Sequence, residues 1–226
     1  MSVPACLSLP DVRWIERAVA FNLAPASYVH DSWLEALPNG DLAGTLKRQP
    51  AALASISRFL LDTMHLQQAY FHDFAEPRSR LALLDGTTLE NVFLYAGLAL
   101  RRDELRGEID GTRLGHVRKM LGSSALEFAV RRTAFLGKLP RFDYEPQTPD
   151  LRIRLMLIGA VYALSPTLGS NPAYAQRVLL KLPHELSDDL LSAWAEQQGV
   201  EQGPELPGLV KRLIKEFAPE WQALFD

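Results

Sequence analysis

Residues 21–33, FNLAPASYVHDSW, set Ser27, His30, Asp31 and Ser32 within six positions, and these are the residue types of a nucleophile, a general base and an orienting carboxylate. Such a set works only when the imidazole lies between hydroxyl and carboxylate, a geometry normally drawn from residues far apart in the chain. Four neighbours on one short stretch are poorly suited to it. The sequence also lacks a G-x-S-x-G elbow, a Gly-rich loop followed by Lys-Ser/Thr, and an H-E-x-x-H pair. No catalytic residue is therefore expected. The stretch reads as a structural joint instead. Phe21, Leu23, Tyr28, Val29 and Trp33 supply apolar area, Pro25 restricts its neighbours, and Asp31 or Ser32 is expected to cap a short helix through Trp33 and Leu37. His30 is expected to donate to a nearby carbonyl, and Phe21 and Trp33 to be the better buried residues.

Metal chemistry is weighed on two other groups. From Pro50 onward Leu53, Ile56, Leu60, Met64, Gln67, Phe71 and Phe74 recur on one stripe, which predicts a six-turn helix ending before Glu76-Pro77. His65 and His72 then share a face near Asp62 and Asp73, but two turns separate them by about 10.5 Å, too far for one ion. His184-Glu185 has no recognisable third ligand. Neither a metal nor any other cofactor is expected.

The remaining chemistry is electrostatic. Residues 1–100 carry 7 basic and 10 acidic side chains, 101–141 carry 10 and 5, and 142–226 carry 7 and 12, so a basic block stands between two acidic segments. Arg101, Arg102, Arg106, Arg113, Arg118, Lys119, Arg131 and Arg132 are its candidate partner-binding residues. TRLGHVRKMLGSSALEFAVRR, residues 112–132, has the outline of a helix-turn-helix, and a DNA-binding regulator is the alternative reading. The start of its second helix offers Ser123, Ser124, Ala125, Leu126 and Glu127, with no Arg, Asn or Gln for bidentate base readout. The net charge of −3 also opposes a phosphate backbone outside this block. An acidic protein partner uses these cations better than nucleic acid does.

The elements that position these residues are helical. Apolar residues return at three- and four-residue intervals almost throughout, so an all-α domain of about nine helices with no significant sheet is expected. Capping boxes at Thr87/Glu90 and Ser124/Glu127 predict helices over 88–101 and 125–136. Thr148-Pro149 and Asn171-Pro172 open helices over 149–164 and 172–181. Gly122, Gly137 and Gly199 follow periodic runs as C′ residues, Ser187 opens a helix to Gln198, and a last helix spans 207–217. Residues 137–148 read as a loop. A short helix from Asp11 to Val19 belongs to an N-terminal extension, residues 1–20, ahead of a single domain at 21–226 in one or two lobes. Trp14, Trp33, Trp194 and Trp221 are expected as buried anchors, while Trp14, Ile15, Trp221, Leu224 and Phe225 dock on the domain or on another protein.

The 226 residues are 47% hydrophobic and 23% charged, values of a packed soluble domain. One cysteine, Cys6, allows no internal disulfide and suits a reducing compartment, hence the cytoplasm. The start has no basic residue before Arg13 and two prolines, unlike a secretion signal. The most apolar run, LMLIGAVYAL at 155–164, is about half a membrane span, so no direct membrane insertion is expected.

The order of four stretches resembles the K component of type III secretion systems, the SctK family, whose members include YscK, PscK, MxiK and OrgA. FNLAPASYVH at 21–30 is similar to its F-x-x-x-P-A-x-Y-hydrophobic-H opening, which makes Phe21, Pro25, Tyr28, His30 and Trp33 the structural signature. YAGLAL at 95–100 is similar to its Leu-Gly-Leu-x-Leu helix, RVLLKLP at 177–183 to its apolar and basic run ending in Leu-Pro, and LVKRLIKEFAPEWQALF at 209–225 to its ending. The resemblance implies a non-enzymatic, mainly α-helical cytoplasmic adaptor of the injectisome sorting platform, supporting protein secretion and so virulence. Its implied partners are the pod protein SctQ and the cytoplasmic domain of the inner-membrane ring protein SctD, and through the pod SctL and the ATPase SctN.

Overall fold

A computed structural model describes residues 11–38, 40–108, 113–137, 139–168, 171–196 and 206–225. The expectation of an all-α protein is borne out: twelve α-helices and several single turns follow one another, and no strand occurs among the described residues. Among the described residues no helix is long and apolar enough to cross a membrane.

The core is built on α5 (Gly86–Leu100) and α9 (Leu151–Leu168). Residues 92–99 of α5 are buried without interruption, as in a helix covered on every side. The two backbones nearly touch. A Cβ on Gly97 would stand 2.0 Å from the Leu155 carbonyl oxygen, and one on Gly159 would stand 1.9 Å from that of Phe93. Gly97 is the glycine of YAGLAL, so that stretch is a crossing point.

The other elements gather on this pair. Helix α12 (Gly208–Phe217) turns Leu209, Val210, Leu213 and Ile214 inward. The Phe217 ring stacks on Tyr95 at 4.2 Å, with Phe128 edge-on to both. Helix α1 (Val12–Leu23), capped by Asp11 through the Arg13 amide, lays Trp14 against Trp221 with ring centres 5.3 Å apart. The aromatic residues at the two ends thus dock on the domain itself, as Leu224 and Phe225 also do.

A smaller apolar cluster lies under α2 (Asp31–Glu35), α3 (Gly40–Lys47) and α4 (Leu53–Thr63). Ala26, Val29, Leu34, Ile56, Leu60 and Leu66 form it with Ala173 and Leu180, which come from α10 (Pro172–Leu179) and its C-cap. Tyr28 and Trp33 pack against both clusters.

Several local expectations are corrected. The six-turn helix from Pro50 ends at Thr63, because His65 adopts a left-handed backbone (φ 54°) and closes a Schellman motif. Its amide donates to the Asp62 carbonyl and that of Leu66 to Leu61. Phe71 and Phe74 are still buried, but from non-helical chain, so His65 and His72 share no helix. Neither expected capping box forms. Asp85, not Thr87, caps α5 through the Thr88 amide at 2.9 Å, and Gly122 precedes α8 (Ser123–Glu127) with no side-chain cap. Beyond α8 the expected regular helix gives way to a π-helical turn, Phe128–Arg132, and a 3-10 turn, Thr133–Leu136. Asp150 rather than Thr148 accepts from the first turn of α9, at the Ile153 amide, and α9 continues past 164 to Leu168.

Asn171 caps α10 as expected, Gly122 and Gly137 have positive φ, and α11 (Ser187–Glu196) begins at Ser187. Gly199 and Gln198 lie outside the described residues. Residues 139–149 form no regular element, although Phe142 and Tyr144 pack on the core.

Candidate functional site

Residues 21–33 meet residues 177–184 at several points, from Phe21 to Trp33. The His30 amide donates to the Leu180 carbonyl at 2.7 Å, and the Trp33 indole nitrogen donates to the carbonyls of Leu179 and Leu182. The His184 amide donates to Ser32 Oγ at 2.8 Å, and the His184 ring meets Trp33 edge-on at 4.4 Å. Two stretches about 150 residues apart thus form one joint.

The serines, histidine and aspartate are spent on that joint. Ser27 Oγ donates to Ala24 O, and Asp31 pairs with Lys47 Nζ at 2.6 Å, which lowers its carboxyl pKa. His30 Nδ1 caps α2 by accepting from the Ser32 amide and lies 2.7 Å from Ser32 Oγ. The cap is therefore His30, not Asp31 or Ser32, and the donor to a carbonyl is the His30 backbone rather than its ring. A short polar ring acceptor at this position does what Asn or Asp does at an ordinary N-cap. Ser32 Oγ, the hydroxyl in contact with the imidazole, is also bonded to the His184 amide, and Asp31 points to Lys47. These contacts hold a turn and assemble no nucleophile-base-acid relay.

Burial within the stretch follows the joint. Phe21 and Pro25 are buried and Tyr28 is half-buried, its hydroxyl donating to Phe21 O at 2.7 Å. Trp33 is only half-buried, against expectation, while Asn22, Ala26 and Val29 are buried more fully. Asn22 holds Phe71 by a reciprocal pair of 2.8 Å bonds to its amide and carbonyl.

Two cations inside the joint were not foreseen as functional. Arg177, fully buried, donates to the carbonyls of Ala69, Leu66, Asn22 and Ala173, so one guanidinium ties α10 to α1 and to the chain that follows α4. Lys181, 4% exposed, donates to Leu84 O at 2.6 Å and faces the rings of Tyr28 and Phe21 at 4.8 and 5.7 Å. Burial, helped by the nearby Arg17 guanidinium, pushes its ammonium down to about 7. Lys181 lies at the floor of a cleft of about 340 Å³, whose wall includes Glu90, a carboxyl that burial raises. The signal for both cations was available: Arg177 and Lys181 stand four apart in the otherwise apolar run RVLLKL.

The structure divides the basic block. Arg101 bonds to Tyr144 O and Glu145, and Arg102 to the carbonyls of Thr133 and Gly137, so both bind the 133–145 segment. Arg132 pairs with Glu216 of α12. Arg118 and Lys119, on α7 (Arg113–Leu121), are exposed, and Arg131 is 77% exposed with Glu127 at 3.7 Å. Arg106, on α6 (Arg102–Glu108), and Arg113 have side chains outside the described residues. Arg118 and Arg131 come together across a groove of about 350 Å³ floored by Leu126 and Val130.

The helix-turn-helix alternative meets an obstacle in the same place. Ala125 and Leu126, which a recognition helix would turn to base edges, are buried, and α8 loses its α-helical form after one turn. Among the described residues no group of three or more His, Cys, Asp or Glu side chains is arranged to hold a metal ion.

Compared with known families, the chain matches the model described as YOP proteins translocation protein K (YscK) over residues 17–226. No curated protein and no solved structure matches the chain.

Proposed function

This chain belongs to the YscK family of type III secretion proteins, and from that premise we propose that it is a non-enzymatic adaptor of the cytoplasmic sorting platform. It links the pod protein SctQ to the cytoplasmic domain of the inner-membrane ring protein SctD, and through the pod reaches SctL and the ATPase SctN. Its place is at the cytoplasmic base of the apparatus, held there by proteins rather than by lipid. In this role it takes no part in chemical turnover.

The observation that carries the reading is how the cations are used. Arg101, Arg102, Arg177 and Lys181 bond carbonyls within the chain, whereas Arg118, Lys119 and Arg131 remain exposed, Arg118 and Arg131 lining one groove. A second exposed segment has the opposite sign: Glu185, Asp188 and Asp189 are exposed on and before α11, as is Leu191. One helical body with two oppositely charged faces suits a protein that joins two others, each met by complementary charge. Contacts of this sort are modest in area and polar at the rim.

The test is reconstitution from purified parts. The chain should retain both the pod protein and the ring domain on one column, and pod and ring should not associate without it. Direct pod–ring association, or retention of neither, would sink the reading.

A further inference from the structure

The groove between α7 and α8 has a construction that charge alone does not require. Phe128 and Ala129 point inward, and the next inward residue is Thr133, whose Oγ1 donates to Ala129 O at 2.7 Å. Within the π turn Val130, Arg131 and Arg132 face outward in succession between buried Ala129 and Thr133. Val130 is 42% exposed and lines the groove with buried Leu126. Single π turns inside helices are rare and recur at functional sites.

The charges around that apolar spot are unbalanced. Among the described residues that line the groove, Arg118 and Arg131 stand with one carboxylate, Glu127, 3.7 Å from Arg131, and Lys119 adds a further exposed cation on α7. We propose that this groove is the docking site for an acidic segment of a partner protein, which seats one apolar side chain on Leu126 and Val130 and sets flanking carboxylates against Arg118 and Arg131. Apolar contact gives such a site its desolvated centre, and the flanking guanidinium groups give register and on-rate. A nucleic acid would satisfy the cations but not the apolar floor, and Glu127 would repel its phosphates. The inference rests on the adaptor reading only for the identity of the partner.

The test places the photo-reactive p-benzoylphenylalanine at Val130 in the full-length chain inside secreting cells, with the cross-linked peptide identified by mass spectrometry. The expected product is a peptide carrying Asp or Glu on both sides of an apolar residue, and Arg118→Glu with Arg131→Glu should lower its yield about tenfold or more. Such a peptide from the pod or ring protein supports the groove and the adaptor reading together. The same chemistry on an unrelated protein supports the groove and counts against the adaptor reading. No cross-link, a cross-link to nucleic acid or to a segment without carboxylates, or a yield indifferent to charge reversal overturns the groove. Retention of pod and ring by the charge-reversed chain would then leave the adaptor reading standing without it.

Discussion

Lys181 Nζ lies 4.8 Å from the centre of the Tyr28 ring, a contact between the opening stretch of the chain and a run some 150 residues later. Around it the same two stretches exchange backbone and indole hydrogen bonds, and both hydrophobic clusters end on Tyr28 and Trp33. The joint is the part of the fold in which a residue's chemical type and its position are coupled, so substitutions there separate roles that burial alone would merge.

The pH dependence of Lys181 is the first such test. Its folded pKa of about 7 lies below the value of about 10.4 in an unfolded chain, so between those limits the unfolded chain binds more protons. The contribution of Lys181 makes stability rise with pH from about 7 toward 10. Lys181→Met, which keeps the stem and loses the titration, should show a flatter urea midpoint from pH 7 to 9 than the parent. Parallel curves would reject the assignment.

Arg177 is expected to be less tolerant. Arg177→Met leaves the carbonyls of Ala69, Leu66 and Asn22 without their buried donor, a loss of about 3 kcal/mol or more. Arg177→Lys should rescue little, since an ammonium cannot present the planar fork that reaches all of them. Hydrogen exchange at the Phe71 amide should speed up before global unfolding does. Full rescue by Lys would show that charge, not geometry, matters.

Gly97→Ala should prevent folding or cost several kcal/mol, because its Cβ would meet the Leu155 carbonyl at 2.0 Å and neither backbone can withdraw without moving a central helix. Gly44→Ala, in α3 with nothing within 4 Å of the added carbon, should raise stability by about 1 kcal/mol. Thermal melts by circular dichroism compare the two. Equal effects would mean that the α5–α9 crossing is looser than described.

His30→Ala removes the α2 cap and should cost about 1 kcal/mol, whereas His30→Asn keeps a side-chain acceptor for the Ser32 amide and should recover most of it. If Asn is as poor as Ala, the imidazole acts through the cleft wall rather than as a cap.

Much of this was legible beforehand. The three- and four-residue period gave the all-α class, and positive-φ glycines at 122 and 137 and the Asn171 cap were marked by residue type alone. The break after Thr63 was not, because the apolar stripe continues to Phe74 and the stop falls on His65, a residue with no helix-breaking reputation. Only the bonds from Asn22 to Phe71 and from Arg80 to Phe74 O explain why that segment buries its aromatics without being helical. The basic block was visible as a count, but which arginines remain outward depends on partners such as the Thr133 and Tyr144 carbonyls that no local pattern discloses.

The two cations sealed in the joint also alter how the molecule looks to something approaching it. The formal charge of −3 counts them, but Arg177 and Lys181, like the buried Arg78, offer no cation for a partner to touch, so the contact surface is more acidic than the formal charge. An incoming acidic segment is then opposed by the net charge and attracted at the α7–α8 face, so the long-range field acts as an orientation filter before any contact forms. Raising the ionic strength past the point where the screening length falls below about 10 Å should blunt that filter, slowing association while leaving the dissociation rate nearly unchanged.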